Sequence, residues 1–285
     1  MNKSTTPIVS DLVLLGGGHA NIQVLKMMSM NPIGGLRITL ISDQTHSPYS
    51  GMIPGYLAGF YSYEECHFDL RRICEELGQR FIKAKIIGVD PQRKKIQLEN
   101  RAEVSYDCAS INVGIEPKGI GNISHESALK LIPLKPISRF IAHWDQLISD
   151  LKDYKGNESL QLAVVGAGAS GVEISIILKM LIDQNQWNAQ VSLIHRHDFL
   201  VSAKDLRAQK RLLKTLKSLS IKVFQNTEVL EMHDNGLALR DSNGLVHTEG
   251  FYRALVATQA SAPTWFKSSG LPVNQEGFLK VAEKL

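Results

Sequence analysis

Residues 160–171 read Leu-Gln-Leu-Ala-Val-Val-Gly-Ala-Gly-Ala-Ser-Gly, and they carry the strongest fold signal in the chain. Its first six residues are mostly apolar and predict a buried strand. Gly166, Gly168 and Gly171 then form the pattern G-x-G-x-x-G, and a helical stretch and a strand-like run at 190–194 follow. Strand, glycine turn, helix and strand in this order indicate a β-α-β unit of a parallel sheet that is covered on both faces.

The same arrangement occurs near the N-terminus. Residues 11–15 are a strand-like apolar run, followed by Gly-Gly-Gly-His-Ala-Asn at 16–21, a helical stretch and a second strand-like run at 36–41. Asn21 stands where the third glycine belongs, so we expect it to hold the helix slightly away from the strand. The two turns start 150 positions apart, which is about one domain length. The sequence therefore predicts an α/β fold with two Rossmann-like, doubly wound parallel-sheet domains.

The segments outside the two units complete each domain. Apolar periodicity predicts helices at 63–77, 138–151 and 204–219, and a Gly- and Pro-rich connection at 115–136. Short strands, several of them in a small antiparallel meander in each domain, are predicted at 80–89, 94–98, 103–106, 107–113, 221–224, 228–232, 237–239 and 251–257.

Composition excludes several classes of protein. The chain has 285 residues, of which 44% are apolar and 21% charged, and this excludes a disordered or fibrous protein. The net charge of +4 is scattered along the chain, so we expect no nucleic-acid partner. The apolar stretch 160–182 carries Glu173, so we expect no transmembrane segment. The first residues do not resemble a signal peptide, and with only three cysteines this predicts a cytoplasmic protein.

The glycine turns predict a bound dinucleotide. In this pattern one glycine makes the tight turn, another lets the backbone approach a pyrophosphate, and the third lets helix and strand pack closely. The helix N-terminus then offers free amides and the positive end of its dipole to the phosphates. A tight turn without a ligand is the plainer interpretation, and it is disfavoured at the second turn because both flanking segments fit.

The residues after the second strand of each unit predict how a ribose is bound. After the first unit the chain reads Ile-Ser-Asp at 41–43, so Ser42 or Asp43 can bind ribose hydroxyls. After the second unit it reads Ile-His-Arg-His at 194–197, with no acid, and the guanidinium of Arg196 suits a 2′-phosphate. We therefore expect NADPH in preference to NADH, unless Arg196 is an ordinary solvated charge. The two histidines beside it lack a third ligand, so we expect no metal.

Two dinucleotide units in this order resemble the two-domain pyridine nucleotide-dependent flavoprotein oxidoreductases. That superfamily includes glutathione reductase, type II NADH dehydrogenases and sulfide:quinone reductases. The second turn continues as Gly-Val-Glu at 171–173, which is typical of the superfamily, and the resemblance covers nearly the whole chain. The segment His-Ser-Pro-Tyr-Ser-Gly-Met-Ile-Pro at 46–54 resembles the type II NADH dehydrogenase-like branch that is often fused to selenide, water dikinase in bacteria.

The resemblance implies that the first unit holds FAD and the second holds NAD(P)H. It implies an FAD domain at 1–115, a connection and helix at 116–155, an NAD(P)H domain at 156–260 and a return toward the FAD domain at 261–285. The residues that it places near FAD are Gly16, Gly18, His19, Ala20, Asp43 or Ser42, Ser50, Gly51 and Gly114. The residues that it places near NADP or NAD are Gly166, Gly168, Ser170, Gly171, Arg196 and Gln259.

The resemblance also implies an activity. Hydride would pass from NAD(P)H to FAD and on to an unknown small-molecule acceptor such as a quinone. Glu173 matches the glutamate near the nicotinamide–flavin contact and is the candidate catalytic residue, unless it is only a first-turn acid that favours the helix dipole. Cys66 and Cys74 lie eight positions apart and Cys108 lies in a predicted strand, so we expect no redox-active cysteine pair. A selenide, water dikinase partner or fusion and a homodimer are further expectations.

Departures from the family pattern leave alternatives open. The family carries Ala-Thr-Gly at each crossing between domains, where this chain has Asn-Val-Gly at 112–114 and Ala-Thr-Gln at 257–259. A Gly-Asp segment that binds flavin is expected just after residue 285, so the chain resembles a C-terminally truncated member. These features favour the alternative of a non-catalytic dinucleotide-binding module or an electron-delivery partner in selenophosphate synthesis. An NAD(P)-only dehydrogenase is disfavoured because it would leave one of the two units without a role.

Overall fold

The computed structural model describes residues 7–117, 131–202, 205–233, 236–257 and 260–282. The chain divides into two compact units. No helix among the described residues combines the length and the apolar composition needed to span a bilayer. The segments that make up the two units are Met1–Ser50, Ser62–Glu116 and Ser261–Leu285 for unit 1, and Gly51–Tyr61 and Pro117–Ala260 for unit 2.

The elements up to residue 117 are mostly short, and all but one of the helices and strands before residue 116 belong to unit 1. The exception is the helix Ile53–Leu57, which lies in unit 2. In chain order the elements are β1 (Ser10–Leu15), α1 (His19–Met30), β2 (Leu36–Ser42), β3 (His46–Pro48), α2 (Ile53–Leu57), β4 (His67–Asp69), α3 (Leu70–Glu76), β5 (Arg80–Lys83), β6 (Ile86–Asp90), β7 (Lys95–Leu98), β8 (Arg101–Ser105), β9 (Cys108–Ile111) and β10 (Glu116–Pro117).

The elements after residue 130 include the two longest helices described. A short 3-10 helix, Leu200–Ser202, lies between the strand Ala189–Ile194 and the helix Leu206–Ser218. In chain order the elements are β11 (Leu131–Pro133), α4 (Ile137–Asp153), β12 (Leu160–Val165), α5 (Ala169–Asn185), β13 (Ala189–Ile194), α6 (Leu206–Ser218), β14 (Lys222–Phe224), β15 (Glu228–His233), β16 (Gly236–Arg240), β17 (Val246–Glu249), β18 (Arg253–Val256), β19 (Ala260–Ser261) and α7 (Trp265–Ser268).

Unit 1 is built on a parallel sheet with the strand order β5-β2-β1-β9. Successive residues of β1 point to opposite faces of the sheet. On one face Leu14 belongs to a core cluster with Leu25 of α1. On the other face Val13 and Leu15 belong to a cluster with Ile96 of the antiparallel meander β6-β7-β8. The apolar run in β1 is therefore buried on both sides, which is why it does not alternate with polar residues.

Unit 2 repeats this plan around a longer parallel sheet, with the order β11-β18-β12-β13-β14. On one face Leu162 and Val164 of β12 join the core cluster that contains the apolar sides of α4 and α5. On the other face Ala163 and Val165 join a cluster with Leu237 of the antiparallel meander β15-β16-β17. Each unit thus has helices on one face of its sheet and a meander on the other.

The two sheets also agree in detail at their glycine turns. β1 pairs in parallel with β2 and β9, and β12 pairs in parallel with β13 and β18. The first glycine of each turn donates its amide to the end of the second strand, from Gly16 to the Ile41 carbonyl and from Gly166 to the Ile194 carbonyl, both at 2.8 Å. The predicted fold class, two Rossmann-like parallel sheets with a small meander beside each, is confirmed.

The predicted helix at 63–77 is wrong over its first half. Residues 67–69 form β4, which pairs with β3 in an antiparallel ribbon. Asp69 then caps α3, since its carboxylate accepts a hydrogen bond from the amide of Arg72 at 2.9 Å. A helix begins at such a cap because the cap satisfies one of the amides that have no partner in the first turn.

The predicted strand at 80–89 is two strands in two different sheets. β5 extends the parallel sheet beside β2, and β6 opens the meander. The predicted buried strand at 107–113 is shorter, and Cys108 at its start is exposed. Besides β3 and β4, four further strands among the described residues lie outside the predicted ones, namely β17 at 246–249, β19 at 260–261 and, inside the predicted connection, β10 at 116–117 and β11 at 131–133. These strands are too short for periodicity to reveal them.

Candidate functional site

The second glycine turn brings helix α5 against strand β12 at very short range. Gly166 has a φ of +105°, a backbone conformation that glycine adopts without strain. A Cβ added to Gly171 would lie only 1.8 Å from the Gly166 carbonyl oxygen. Both positions therefore require glycine, and the reason is the backbone geometry of the turn.

The N-terminus of α5 is an open anion cradle. A Cβ added to Gly168, the residue before the helix, would have no atom within 4 Å. The amides of residues 169–171 find no acceptor in the described part of the chain, and the first intrahelical bond runs from Val172 to Gly168. Ser170, which follows the turn, is exposed. Free amides and the positive end of the helix dipole suit a phosphate, so this cradle fits a dinucleotide pyrophosphate.

The first glycine turn is held by Asn21, which occupies the position of the third glycine. Asn21 is fully buried, and its side-chain amide donates to the carbonyls of Leu15 and Gly16 at 3.0 and 2.8 Å. Its carbonyl oxygen accepts from the Ser110 hydroxyl of β9 at 2.7 Å. The side chain thus ties the end of β1, the turn and β9 together.

The N-terminus of α1 differs from that of α5 because a side chain already covers it. The Oδ1 atom of Asn112 accepts a hydrogen bond from the amide of Ala20 at 3.1 Å. The Asn112 backbone carbonyl accepts from the Gly18 amide at 3.2 Å. This role of Asn112 was not predicted from the sequence. The available signal was that Asn112 stands where the family pattern has alanine.

The remaining predicted FAD contacts in unit 1 are accessible to different degrees. Asp43 is exposed, whereas Ser42 is buried and its hydroxyl accepts from the Gln44 amide at 3.2 Å. Asp43 is therefore the better placed of the two for ribose hydroxyls. His19 is exposed and its ring lies 5.1 Å from that of Tyr49.

The segment that the resemblance places near the flavin is divided between the units. Ser50 is an exposed residue of unit 1, and Gly51 is an exposed residue of unit 2. The segment continues into α2, whose Ile53 is buried in the core of unit 2. Gly114 is exposed, and an added Cβ there would meet no atom within 4 Å, which leaves room for a ligand.

The predicted residues of unit 2 outside the turn are exposed wherever they are described. Arg196 follows β13, and its Nε lies 3.3 Å from Nε2 of His197. Glu173 is the fifth residue of α5 and lies beyond its first turn, so the interpretation as a first-turn acid is wrong. Gln259 lies outside the described residues. Within the described ranges, no group of three His, Cys, Asp or Glu side chains is arranged to hold a metal ion.

The three cysteines are free thiols. Cys66 and Cys74 are buried, and burial raises the pKa of both, that of Cys74 to about 11. The Cys66 thiol lies 3.0 Å from the Ser62 carbonyl. Because the thiolate is the reactive form, these two buried groups are poorly suited to thiol–disulfide exchange.

His195 is a buried polar side chain without a partner. It is 5% exposed, and neither ring nitrogen forms a hydrogen bond. Both backbone groups of His195 are hydrogen-bonded, since its amide donates to the Phe224 carbonyl and its carbonyl accepts from the Thr227 amide. Burial, together with the nearby charge of His197, lowers the pKa of His195, so the folded protein holds the ring neutral.

We therefore expect stability to fall in mild acid. Below its ordinary pKa of 6.5 His195 takes up a proton in the unfolded chain but resists it in the folded one, so lowering the pH favours unfolding. Linkage limits the loss between pH 7.5 and pH 5.5 to about 1.4 kcal/mol, the value for a single group that titrates only in the unfolded chain. Urea unfolding at the two pH values measures it. His195→Leu should flatten the dependence, and the exposed control His143→Gln should not; equal slopes for all three proteins would contradict this assignment.

Comparison with known proteins agrees with this geometry. A probable ferredoxin reductase of Castellaniella defragrans is 29% identical over 167 residues, which are 58% of this chain and 38% of that protein. The NADH dehydrogenase-like protein YutJ of Bacillus subtilis is 24% identical over 224 residues, 78% of this chain and 59% of that one. This chain therefore spans less than two thirds of the length of these relatives.

Solved structures show the same fold. NDH2 from Plasmodium falciparum in complex with NADH superposes with a TM-score of 0.82 at 18% identity, over 94% of this chain and 59% of that one. Residues 10–285 match the family described as pyridine nucleotide-disulphide oxidoreductase. With a glycine turn between the first strand and the first helix of each β-α-β unit and a family match over almost its whole length, the chain belongs to the pyridine nucleotide-disulphide oxidoreductase family.

Proposed function

We propose that this protein is an FAD-dependent NAD(P)H oxidoreductase. The observation that carries the proposal is the open cradle at the N-terminus of α5, which lies in the second of two similarly built units. Family membership supports it, as do the relatives, whose names include a ferredoxin reductase and an NADH dehydrogenase-like protein. The similarly folded Plasmodium NDH2 forms a complex with NADH. A quinone is the proposed acceptor, and a sulfide-quinone reductase of Aquifex aeolicus is among the relatives.

The residues of the chain would bind and orient the two cofactors. In unit 2 the amides of residues 169–171 would hold the NAD(P)H pyrophosphate, with Gly168 leaving room for it. In unit 1 the turn at 16–18 would face the FAD pyrophosphate, and Asp43 would bind its ribose. When bound, the two cofactors supply the hydride chemistry themselves. Glu173 is the proposed residue near the nicotinamide, since its exposed carboxylate stands one turn into α5.

A spectroscopic experiment on the purified protein tests this proposal. After incubation with FAD and gel filtration we expect a flavin spectrum that NADPH or NADH bleaches without oxygen, and a quinone should restore it. A colourless protein that still binds NADPH would contradict the enzyme. It would support the alternative of a non-catalytic dinucleotide-binding module. One observation favours that alternative, namely that the Ala20 amide in unit 1 already donates its hydrogen bond to the Asn112 side chain.

We expect Arg196 to select between the two nicotinamide cofactors. Its guanidinium is exposed directly after β13, where a 2′-phosphate would be bound. Arg196→Ala should weaken NADPH binding about tenfold or more, because a charge-assisted contact is lost, while NADH binding changes less than about twofold. Titration calorimetry with both nucleotides measures the difference. An equal loss for NADPH and NADH would remove the argument for a 2′-phosphate site.

Further proposals concern the cellular setting. The resemblance of residues 46–54 to a branch often fused to selenide, water dikinase supports a partner in selenophosphate synthesis. Buried free thiols at Cys66 and Cys74 support a reducing compartment such as the cytoplasm. We also propose that the protein forms a homodimer, which light scattering on the purified protein tests.

A further inference from the structure

We infer that the Asn112 carboxamide occupies the phosphate position of the first glycine turn, so that a dinucleotide binds unit 1 only when this side chain moves aside. The inference rests on the proposed function, because the ligand concerned is the FAD that unit 1 would hold. It adds a residue that controls access to the cofactor site and that the family pattern does not contain.

The backbone of Asn112 is fixed close to the turn. Its amide donates to the Leu15 carbonyl at 2.8 Å, and its carbonyl accepts from the Gly18 amide at 3.2 Å. From this position the side-chain oxygen reaches the Ala20 amide at 3.1 Å. A Cβ added to Gly18 would lie only 2.0 Å from the same oxygen. The carboxamide thus fills the space in front of the second glycine, through which a pyrophosphate approaches.

Unit 2 provides an internal comparison. Ala257 takes the position of Asn112 there, since its amide donates to the Val165 carbonyl at 2.8 Å, as that of Asn112 does to Leu15. A methyl group cannot accept a hydrogen bond, and the space in front of Gly168 is empty within 4 Å. The phosphate position is therefore open in unit 2. In unit 1 the Asn112 carboxamide covers it, and the Asn112 backbone carbonyl also lies 2.6 Å from the position of a Cβ added to Gly18.

The Asn112 carboxamide and a phosphate would compete for the amides at the N-terminus of α1, and their chemistry indicates which of them binds more strongly. A carboxamide oxygen is a neutral acceptor, whereas a phosphate oxygen is charged and interacts more strongly with the positive end of a helix dipole. The Asn112 side chain therefore caps α1 when no dinucleotide is present and yields to one when it binds. The cap protects the helix end at the expense of some cofactor affinity.

Flavin titration of the purified full chain tests this inference. After removal of bound flavin, FAD affinity is measured by flavin fluorescence for the wild type, Asn112→Ala and Asn112→Asp. Asn112→Ala removes the carboxamide from the first turn and should bind FAD about 3- to 10-fold more tightly, because no side-chain cap has to be displaced. Asn112→Asp places a carboxylate at the helix end and should bind FAD about tenfold more weakly. Riboflavin, which lacks phosphates, should respond to neither change.

The outcomes separate this inference from the proposed function. Equal or weaker FAD binding by Asn112→Ala would overturn the inference, because the side chain would then support the cofactor rather than cover its site. If none of the three proteins binds FAD, the proposed function fails. Hydrogen exchange of the Ala20 amide in the flavin-free proteins then decides the inference by itself. Faster exchange in Asn112→Ala supports the cap, and unchanged exchange overturns it.

Discussion

Replacing Gly171 by alanine should destabilise unit 2 by about 3 kcal/mol or more, a large part of the stability of an ordinary domain. The new methyl would lie 1.8 Å from the Gly166 carbonyl oxygen and 3.0 Å from its carbon. Both atoms are backbone, so relief requires α5 to move away from β12. That movement is costly because Val172 and Leu178 of α5 are buried in the core. Urea unfolding followed by circular dichroism measures the loss.

Gly168→Ala is the matched control for this prediction. It adds the same methyl three residues earlier, where φ is −66° and no atom lies within 4 Å. Its free energy of unfolding should stay within about 1 kcal/mol of the wild type, because the loss of chain entropy in the unfolded state and the weaker N-cap act in opposite directions. NAD(P)H binding should nevertheless weaken about tenfold or more, since the methyl enters the proposed path of the pyrophosphate. If Gly171→Ala proved as stable as Gly168→Ala, the close packing assigned to the second turn would be wrong.

Asn21→Asp should destabilise unit 1 by about 3 to 5 kcal/mol at pH 8, although the two side chains have nearly the same shape. The amide nitrogen of Asn21 donates to two carbonyl oxygens, and a carboxylate oxygen in its place would face both of them without a proton. Burial and this repulsion would raise the pKa of the new carboxyl above its unfolded value. The destabilisation should therefore grow as the pH rises from 5 to 8, because the unfolded chain ionises first.

Urea unfolding of the Asn21→Asp protein across this pH range measures the effect. Asn185→Asp is the control, because the exposed Asn185 makes a single hydrogen bond to the Leu181 carbonyl near the end of α5. It should change stability by less than about 0.5 kcal/mol at either pH. A pH-independent loss for Asn21→Asp would show that the first turn does not depend on the donated hydrogen bonds.

How much the sequence predicts depends on the range of the interactions involved. The strands β1 and β12 and the helix α4 follow from apolar patterns within single segments, and each lies within about two residues of its predicted bounds. Gly16, Gly166 and Gly171 are equally local signals, because a positive φ or a close backbone contact leaves no other residue type at these positions. The ribbon of β3 and β4 escaped prediction because its partners are separated along the chain.

Local sequence patterns specify that two β-α-β units with glycine turns are present and where each begins, because strand and helix periods and glycine requirements are properties of neighbouring residues. The assignment of β5 to the parallel sheet and of β6 to the meander depends on tertiary pairing, since the two short strands lie in one predicted segment and are distinguished by their partners. Tertiary structure also provides the hydrogen-bond partners of the Asn21 side chain and brings the Asn112 side chain to the N-terminus of α1. The contacts from Asn21 to Ser110 and from Ala20 to Asn112 join residues 89 and 92 positions apart, and hydrogen bonds at that separation exist only once the sheet has brought β9 beside β1.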